Sequence, residues 1–544
     1  MRAPRPPRSL RRAARWGSLV AGALPLLAFP PADLSYLAWV VLVPGLLLIH
    51  RAPSSREAAI RGWWLGCGYF MAAEYWLAPE LGPAVILVAI VFGALLGPFG
   101  KIIWALLRPP VTVPRALAAL VVVPSYWLVT EWLRSWQALG GPWAVLGASQ
   151  WQHPAVLALA AVGGVWLVSF ALVAVNVAIV IAIVAGRLAS RLVAAAAAAA
   201  VLAAGPLAFA LTPPAPTAGA TTIALVQPGV VSNPVLRAAA SQRLTAGLSP
   251  SLGHSASSGH GGSLNGVRPD LIVWGESSVA FSLQADRALL RTIEKLSAAD
   301  GAEILVDQDS RANGKQSKVA VLVGPTGIDG TYTKTRLVPF GEYIPFRAAL
   351  SWLTKISKAA SVNMVPGDGA HTLRVTEPGG RALTIGPLIC FESAFPDMSR
   401  VDTSHGAQVI VYQTADSTFQ GTGAPAQHAS LGALRAAETG RPVVQAALTG
   451  DSAAFDARGR MVAWMGETQR GVTAVRLTLP AATSRTPYDR LGDYVPPAAA
   501  GVAALFALAW LAGRIRRRRS RGKGGYAGDD GAQYDAGTGL HVPG

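Results

Sequence analysis

The chain has 544 residues, 51% of them apolar and only 14% charged, where a soluble domain carries about 25% charged residues. That balance argues against an ordinary cytosolic enzyme, and the apolar content excludes a disordered chain. Lys and Arg exceed Asp and Glu by 47 − 30 = 17. Six of the arginines lie in the first fifteen residues and seven cations lie between Arg514 and Lys523. The excess therefore flanks apolar runs, as membrane orientation demands, rather than covering a folded face as nucleic-acid binding demands.

Taken in chain order, seven apolar runs near 16–30, 33–49, 60–78, 82–107, 117–135, 156–185 and 192–212 approach the roughly 20 residues that cross a bilayer. An eighth covers Val495–Ala512. The first run is short and follows an Arg-rich start, as the core of a signal peptide also would. No convincing small-x-small cleavage site follows it, so a retained span is expected. Arg51, Arg56 and Arg61, then Arg108 and Arg115, then Arg187 and Arg191 occupy alternate loops, whereas Pro30–Asp33 and Pro79–Pro83 contain neither Lys nor Arg. The loop after the fifth run, with Arg134 near its start, follows this alternation least well. The positive-inside rule then places both termini in the cytoplasm and residues 213–494 outside it. The expected organisation is a basic cytoplasmic N-terminus (1–15), seven spans (16–212), an extracytoplasmic domain (213–494), an eighth span (495–512) and a basic, disordered cytoplasmic tail (513–544).

Residues 213–494 have another texture. Short β-rich runs recur at Thr222–Val226, Leu271–Trp274, Glu303–Val306, Val319–Val323, Leu383–Ile389, Val409–Tyr412 and Val443–Ala447. Helical patterns lie between some of them, at Ala285–Ser297 and at Ala424–Thr439, the last with its start marked by a Pro and its end by Gly440. Strands alternating with helices predict a layered α/β domain. Pro325-Thr326-Gly327 and Asp329-Gly330 are turn signals. The Gly/Ser-rich stretch 250–268 reads as a flexible loop, and its two histidines lack the fixed spacing or carboxylate partner of a metal site. Two cysteines, Cys67 and Cys390, are too few for a disulfide scaffold or a Cys-rich metal site.

Three segments place reactive side chains at the ends of apolar strands, where sites gather in open α/β sheets. They are Leu271–Ser277, Tyr332–Pro345 and Leu388–Glu392. A thiol with an ordinary pKa of about 8.5 needs help to become a nucleophile. Glu276 can take the Cys390 proton, and Lys334 can offer a fixed positive donor to a tetrahedral oxyanion. Base, cation and thiol are what acyl transfer through a thioester requires. Each residue alone has a plainer reading: Cys390 as a small buried apolar group, Glu276 as a helix-cap carboxylate, Lys334 as a solvated hairpin lysine, and Glu342 as a turn cap. Cys67, inside the third run, is expected to be packed and inert.

The Glu–Lys–Cys order, with intervals of 58 and 56 residues, resembles the nitrilase (carbon–nitrogen hydrolase) superfamily. The match is closer to its membrane branch, the apolipoprotein N-acyltransferases. It is carried by Lys334–Pro345 (KTRLVPFGEYIP), Ile389–Glu392 (ICFE) and Thr486–Asp493 (TPYDRLGD), and more weakly by Tyr75-Trp76-Leu77, Glu131–Arg134, Gly141-Pro142-Trp143 and Gln150. The resemblance implies an αββα sandwich inserted between the seventh and eighth of eight transmembrane helices, facing outward from a bacterial plasma membrane. It implies Glu276 as general base and acid, Lys334 with the backbone N–H of Phe391 as oxyanion donors, Cys390 as nucleophile, Glu342 as supporting carboxylate and Glu392 as a further one near the thiol. It also implies a phospholipid acyl donor, a diacylated lipoprotein acceptor, no metal or other cofactor, no nucleic acid, and a monomer. A membrane-tethered amidase or nitrilase, in which water replaces the amine, is the alternative. A catalytically dead lipid-binding scaffold is a third reading, against which the intact Glu276–Lys334–Cys390 set argues. The chain departs from the family at Gly275, usually Pro. It departs again at Ala415–Gln420, where the family's Asn-Asp-x-Trp-Phe-Gly loop has lost its Asn and Trp.

Overall fold

The computed structural model describes residues 7–248, 268–312, 314–350 and 363–523. Nearly all of the expected flexible loop at 250–268, and the tail beyond Lys523, lie outside these. The membrane part opens with helix α1 (Arg8–Ala23), which begins within the stretch expected as a basic N-terminus and runs on into a 3-10 turn at Leu24–Ala28. A second 3-10 turn at Ser35–Trp39 leads to α2 (Val43–His50). Then follow α3 (Ser55–Ala73), α4 (Ala84–Gly93), α5 (Leu96–Leu107), α6 (Val113–Arg134), α7 (Ala160–Val184) and α8 (Leu188–Leu211). Among the described residues, five segments are long and apolar enough to cross a membrane: Ala84–Leu107, Val113–Arg134, Ala160–Val184, Leu188–Leu211 and Val495–Ile515. The first three expected runs instead form α1, the Ser35–His50 pair and α3, which are shorter or carry charge. Arg15 of α1 and Arg61 of α3 share Glu57 at 2.7 and 3.4 Å. Cys67 is buried where α3 packs against Gly93 of α4.

The α/β part holds two six-stranded sheets. The first has the order β12-β1-β2-β3-β4-β5, the second β11-β10-β9-β8-β7-β6. The strands are β1 (Thr217–Gln227), β2 (Leu271–Trp274), β3 (Glu303–Ala312), β4 (Lys315–Gly324), β5 (Gly327–Thr333), β6 (Leu373–Thr376), β7 (Ala382–Ile389), β8 (Val409–Thr414), β9 (Val443–Ala447), β10 (Ser452–Phe455), β11 (Met461–Met465) and β12 (Gly471–Pro480). β1, β2 and β3 run parallel, as do β7, β8 and β9, and the outer strands are antiparallel. Side-chain alternation sorts the layers. Ala224, Val226, Ile272 and Trp274 face outward, against Ala238 of α9 (Pro234–Ala246) and Leu290 and Ile293 of α10 (Arg287–Asp300). Ile223, Leu225, Leu271 and Val273 face inward, toward Leu388, Val409 and Val411 of the second sheet. Helices α11 (Pro396–Ser404) and α12 (Ala424–Thr439) belong to the second sheet's side. This is an αββα sandwich.

Two local expectations are corrected. Asp329-Gly330 is not a turn: β5 runs through it, and the pairing with β4 absorbs the irregularity as a register shift between Leu322 and Val323. The last helix, α14 (Val495–Lys523), extends past the expected end at 512, so the basic stretch Arg514–Lys523 continues the helix rather than opening a disordered tail.

The inner core of the sandwich and the core of the helix bundle are one continuous apolar cluster. The TPYDRLGD segment makes the joint, through the short helix α13 (Pro487–Leu491), capped by the Thr486 hydroxyl accepting from Asp489 N at 3.0 Å. Helix α7 is interrupted at Gly163-Gly164, where Gly164 has φ +71°. That break frees the N–H of Val165 from its helical partner, and buried Glu438 of α12 accepts it at 2.7 Å. Asp493 accepts from Trp166 Nε1 at 2.7 Å and from Tyr488 Oη at 2.6 Å.

Gly275 explains one departure from the family pattern. The backbone of Ala447–Leu448 closes onto it, and a Cβ there would overlap the Leu448 amide. Gly275→Ala should therefore cost about 1–3 kcal/mol through overpacking and lower the thermal midpoint in detergent. Gly466→Ala, which faces open space, should leave it unchanged. Equal midpoints for the two variants would disprove the close approach.

Candidate active site

Glu276 follows β2, Lys334 follows β5 and Cys390 follows β7, so three strand ends converge as the sequence predicts. Lys334 is fully buried. Its ammonium donates to Glu276 Oε1 at 3.1 Å and to Glu342 Oε1 at 2.7 Å. Glu342 reaches it because the KTRLVPFGEYIP loop folds back on itself, with Val338 N donating to Glu342 Oε2 at 2.9 Å and Glu342 N to Val338 O at 2.9 Å. The Cys390 thiol and Glu276 interact, each shifting the other's pKa. Cys390 takes φ +51° at the junction of β7 with a 3-10 turn (Cys390–Ala394). Side chains rarely adopt that conformation, and where they do the surrounding structure imposes it.

Glu392 is one of the groups that impose it. Its Oε2 accepts from Ile389 N at 2.7 Å. Its Oε1 accepts from Thr335 N at 2.7 Å, Arg336 N at 2.9 Å and Tyr332 Oη at 2.7 Å. The carboxylate expected near the thiol thus spends both oxygens tying the Cys390 turn to the strand end that carries Lys334. It is a positioning residue.

Sequence reasoning missed Lys318, on β4. Its ammonium lies 2.5 Å from Ser277 Oγ, 3.1 Å from Asp309 Oδ1 and 3.4 Å from Glu276 Oε1. Only its place at the head of the Val319–Val323 run hinted at a position inside the layer. Burial pushes the Glu276 carboxyl up, but the ammonium groups of Lys318 and Lys334 outweigh it and hold the group well below the usual carboxylate range. Burial, then the Glu276 carboxylate, pushes the Cys390 thiol well up, with Lys334 opposing. Neighbouring Asp307, buried and accepting from Ser277 N at 2.7 Å, is pushed up to about 8 by burial. The site sets a thiol held above its ordinary range beside a carboxylate held below its own and a buried ammonium.

A second polar group touches the nucleophile from the other side. Buried His428, on α12, bonds Asp416 Oδ1 through Nδ1 at 2.9 Å and the Cys390 carbonyl through Nε2 at 3.0 Å. Among the described residues, Cys390, Asp416 and His428 are the set whose ligand atoms lie close enough to hold a metal, but both imidazole nitrogens already have partners. The altered Ala415–Gln420 loop supplies this Asp416, and Phe419 in place of a wall. The Phe419 ring meets Trp76 edge-on at 4.9 Å, Trp76 meets Trp143 at 5.1 Å, and Trp143 meets His428 at 5.6 Å. Thr418, at the position of the family's Trp, is exposed. Arg134 donates to the Trp143 carbonyl and pairs with Glu74, fixing the loop that carries this ring. This chain of rings links His428 to residues that follow α3 and α6.

A family model described as the apolipoprotein N-acyltransferase N-terminal domain matches residues 21–178, and one for carbon–nitrogen hydrolases matches 270–485. The chain is 31% identical over 504 residues to the apolipoprotein N-acyltransferase of Allorhizobium ampelinum, covering 86% of this chain and 90% of that one. It is 33% identical over 496 residues to that of Sinorhizobium fredii (84% and 88%), and 28% over 523 residues to that of Geobacter metallireducens (91% and 94%). A carbon–nitrogen hydrolase structure from Helicobacter pylori aligns with a TM-score of 0.36 at 14% identity, covering 47% of this chain and 89% of that one.

The electrostatics make a prediction about the thiol. In a Cys67→Ala background, alkylation of Cys390 by iodoacetamide should rise with pH only above the ordinary thiol value of about 8.5. Lys334→Met, which removes the opposing cation, should slow it at every pH, and Glu276→Gln should move the rise to lower pH. A profile centred on the ordinary value and insensitive to Lys334 would contradict this account.

Proposed function

The chain belongs to the apolipoprotein N-acyltransferase family, and from that membership we propose that it moves a fatty acyl chain from a membrane phospholipid to the α-amine of a diacylglyceryl-cysteine lipoprotein, through a thioester on Cys390. Family membership makes it an acyltransferase of the nitrilase superfamily, a multi-pass bacterial membrane protein acting on lipid and lipoprotein. The steps and residue roles are our reading. The observation that carries it is the buried Glu276–Lys334–Glu342 cluster against Cys390, beside a chain of aromatic rings that reaches into the helix bundle. Glu276 takes the thiol proton as Cys390 Sγ attacks the ester carbonyl. The oxyanion faces Lys334 Nζ and the N–H of Phe391. As the tetrahedral species collapses, the ester C–O bond breaks and Glu276 returns the proton to the departing lysophospholipid. The lipoprotein amine then attacks the thioester, Glu276 accepts its proton, and the amide leaves as the thiol re-forms. Glu342 holds Lys334 in place throughout. Chain-end and loop arginines support eight crossings with both termini inside and residues 213–494 outside, beside lipid in the outer leaflet. The residues account for every step without a metal or nucleotide.

Protein purified with phospholipid but no acceptor should carry one acyl chain on Cys390, released by hydroxylamine and transferred to a diacylated lipopeptide. Cys390→Ala should abolish transfer, Cys67→Ala should not, and Glu276→Gln should lose about 10²–10⁴-fold. Discharge to free fatty acid without transfer to amine would favour the hydrolase. Wild-type turnover in Cys390→Ala would end the covalent mechanism.

A further inference from the structure

The mechanism leaves one buried pair beside the nucleophile unused, the imidazole of His428 and the carboxylate of Asp416. We propose that His428, held by Asp416, is a positioning residue of the oxyanion hole, polarising through the Cys390 carbonyl the peptide whose N–H, that of Phe391, meets the oxyanion. This rests on the acyl-transfer reading above.

The Cys390 carbonyl only accepts, so the 3.0 Å contact puts a proton on Nε2. Nδ1 faces Asp416 Oδ1 at 2.9 Å and the Thr414 hydroxyl at 3.3 Å. Burial pushes the imidazole toward neutrality, and the Asp416 carboxylate outweighs it, holding the imidazole above its ordinary range. The Trp143 ring and, at longer range, Glu276 also face it. One ring nitrogen lies with Cys390 Sγ and an Asp416 oxygen inside a 4.8 Å set, yet Nε2 bonds to the carbonyl.

That carbonyl and the N–H of Phe391 are two ends of one peptide group. An N–H bonded to the oxygen, on an imidazole that Asp416 polarises, draws electron density across the amide and makes its N–H a stronger donor, as chained hydrogen bonds do in a low-dielectric interior. It also fixes the plane. Cys390 is at φ +51°, a conformation that needs holding, and Phe391 lies in the first turn of a 3-10 helix, where N–H groups have no helical acceptor. Glu392 grips the turn from the Ile389 amide before the strained residue. His428 grips it from the carbonyl after. Together they aim the Phe391 N–H at the developing oxyanion.

The test separates oxyanion chemistry from thiol chemistry in the full-length, detergent-solubilised protein with the Cys67→Ala background. His428→Ala should slow lysophospholipid release from phosphatidylethanolamine by about 10- to 100-fold, since a weakened donor costs less than the 10²–10³ of a deleted one. Iodoacetamide alkylation of Cys390, which forms no oxyanion, should fall far less than lysophospholipid release does. His428→Gln, whose amide can still donate to the Cys390 carbonyl, should recover part of the lost rate, and this variant guards against collapse of the α12 packing. Unchanged lysophospholipid release in His428→Ala would overturn the proposal. So would equal losses of release and alkylation in both variants, which would mean a merely structural role. A wild-type protein that releases no lysophospholipid would overturn the underlying acyl-transfer reading, and this inference with it.

Discussion

The site is organised around a lysine that cannot leave. The Lys334 ammonium is sealed from solvent and held between Glu276 and Glu342 at 3.1 and 2.7 Å. A buried charge without a partner costs several kcal/mol, so each carboxylate is needed by the lysine and the lysine by each of them. That mutual need sets the positions of two strand ends at once, because Glu276 follows β2 while Lys334 and Glu342 share the loop after β5. Lys318 adds a second cation to the same carboxylate. The result is a carboxylate held below its usual range in an apolar interior, beside a thiol held above its own.

Around this fixed pair the chain stores conformational strain at Cys390 and restrains it from both sides. Glu392 takes three backbone N–H groups and one phenol. His428 takes the carbonyl. Neither side chain has to touch substrate to matter, since both determine where the sulfur and the Phe391 N–H point. A truncation at either position leaves an unsatisfied buried group as well as a loosened turn, so activity would fall before the fold did.

The chemistry of the site was legible because it sits at strand ends marked by apolar runs. Leu271–Trp274 and Val443–Ala447 appear with the expected bounds, and the Glu276, Lys334 and Cys390 side chains that follow β2, β5 and β7 meet as anticipated. What stayed hidden was whatever depends on a partner far away in sequence. Lys318 is an ordinary strand lysine until β4 lies beside β5 and points it at Glu276. His428 looks like one residue of an amphipathic helix until α12 packs beneath Cys390. The strands at Leu373–Thr376, Ser452–Phe455, Met461–Met465 and Gly471–Pro480 are short or exposed on one face, so their pattern is weak until a neighbour pairs with them. Asp329-Gly330 carries turn residues, yet cross-strand pairing with Leu322 and Val323 overrides local preference.

The same dependence explains why the sandwich is fused to helices rather than merely tethered by them. Trp76, Trp143 and Phe419 form a chain of rings that ends on His428, and two of the three come from the helix bundle. Gly141 lets that bundle's loop lie against Phe391 and Phe395, where a Cβ would fall 2.7 Å from one ring and 3.0 Å from the other. Gln427, the residue before His428, accepts from Trp143 Nε1 at 3.3 Å and donates to the Pro30 carbonyl at 2.9 Å. The helix that carries the imidazole is therefore docked by membrane-side residues one position away. Glu438, at the other end of α12, is locked onto the broken turn of α7. With both ends of α12 anchored in the bundle, the sandwich cannot shift against the membrane helices without moving His428, and with it the carbonyl of the nucleophile. Those rings and Cys390 are thereby held in one frame.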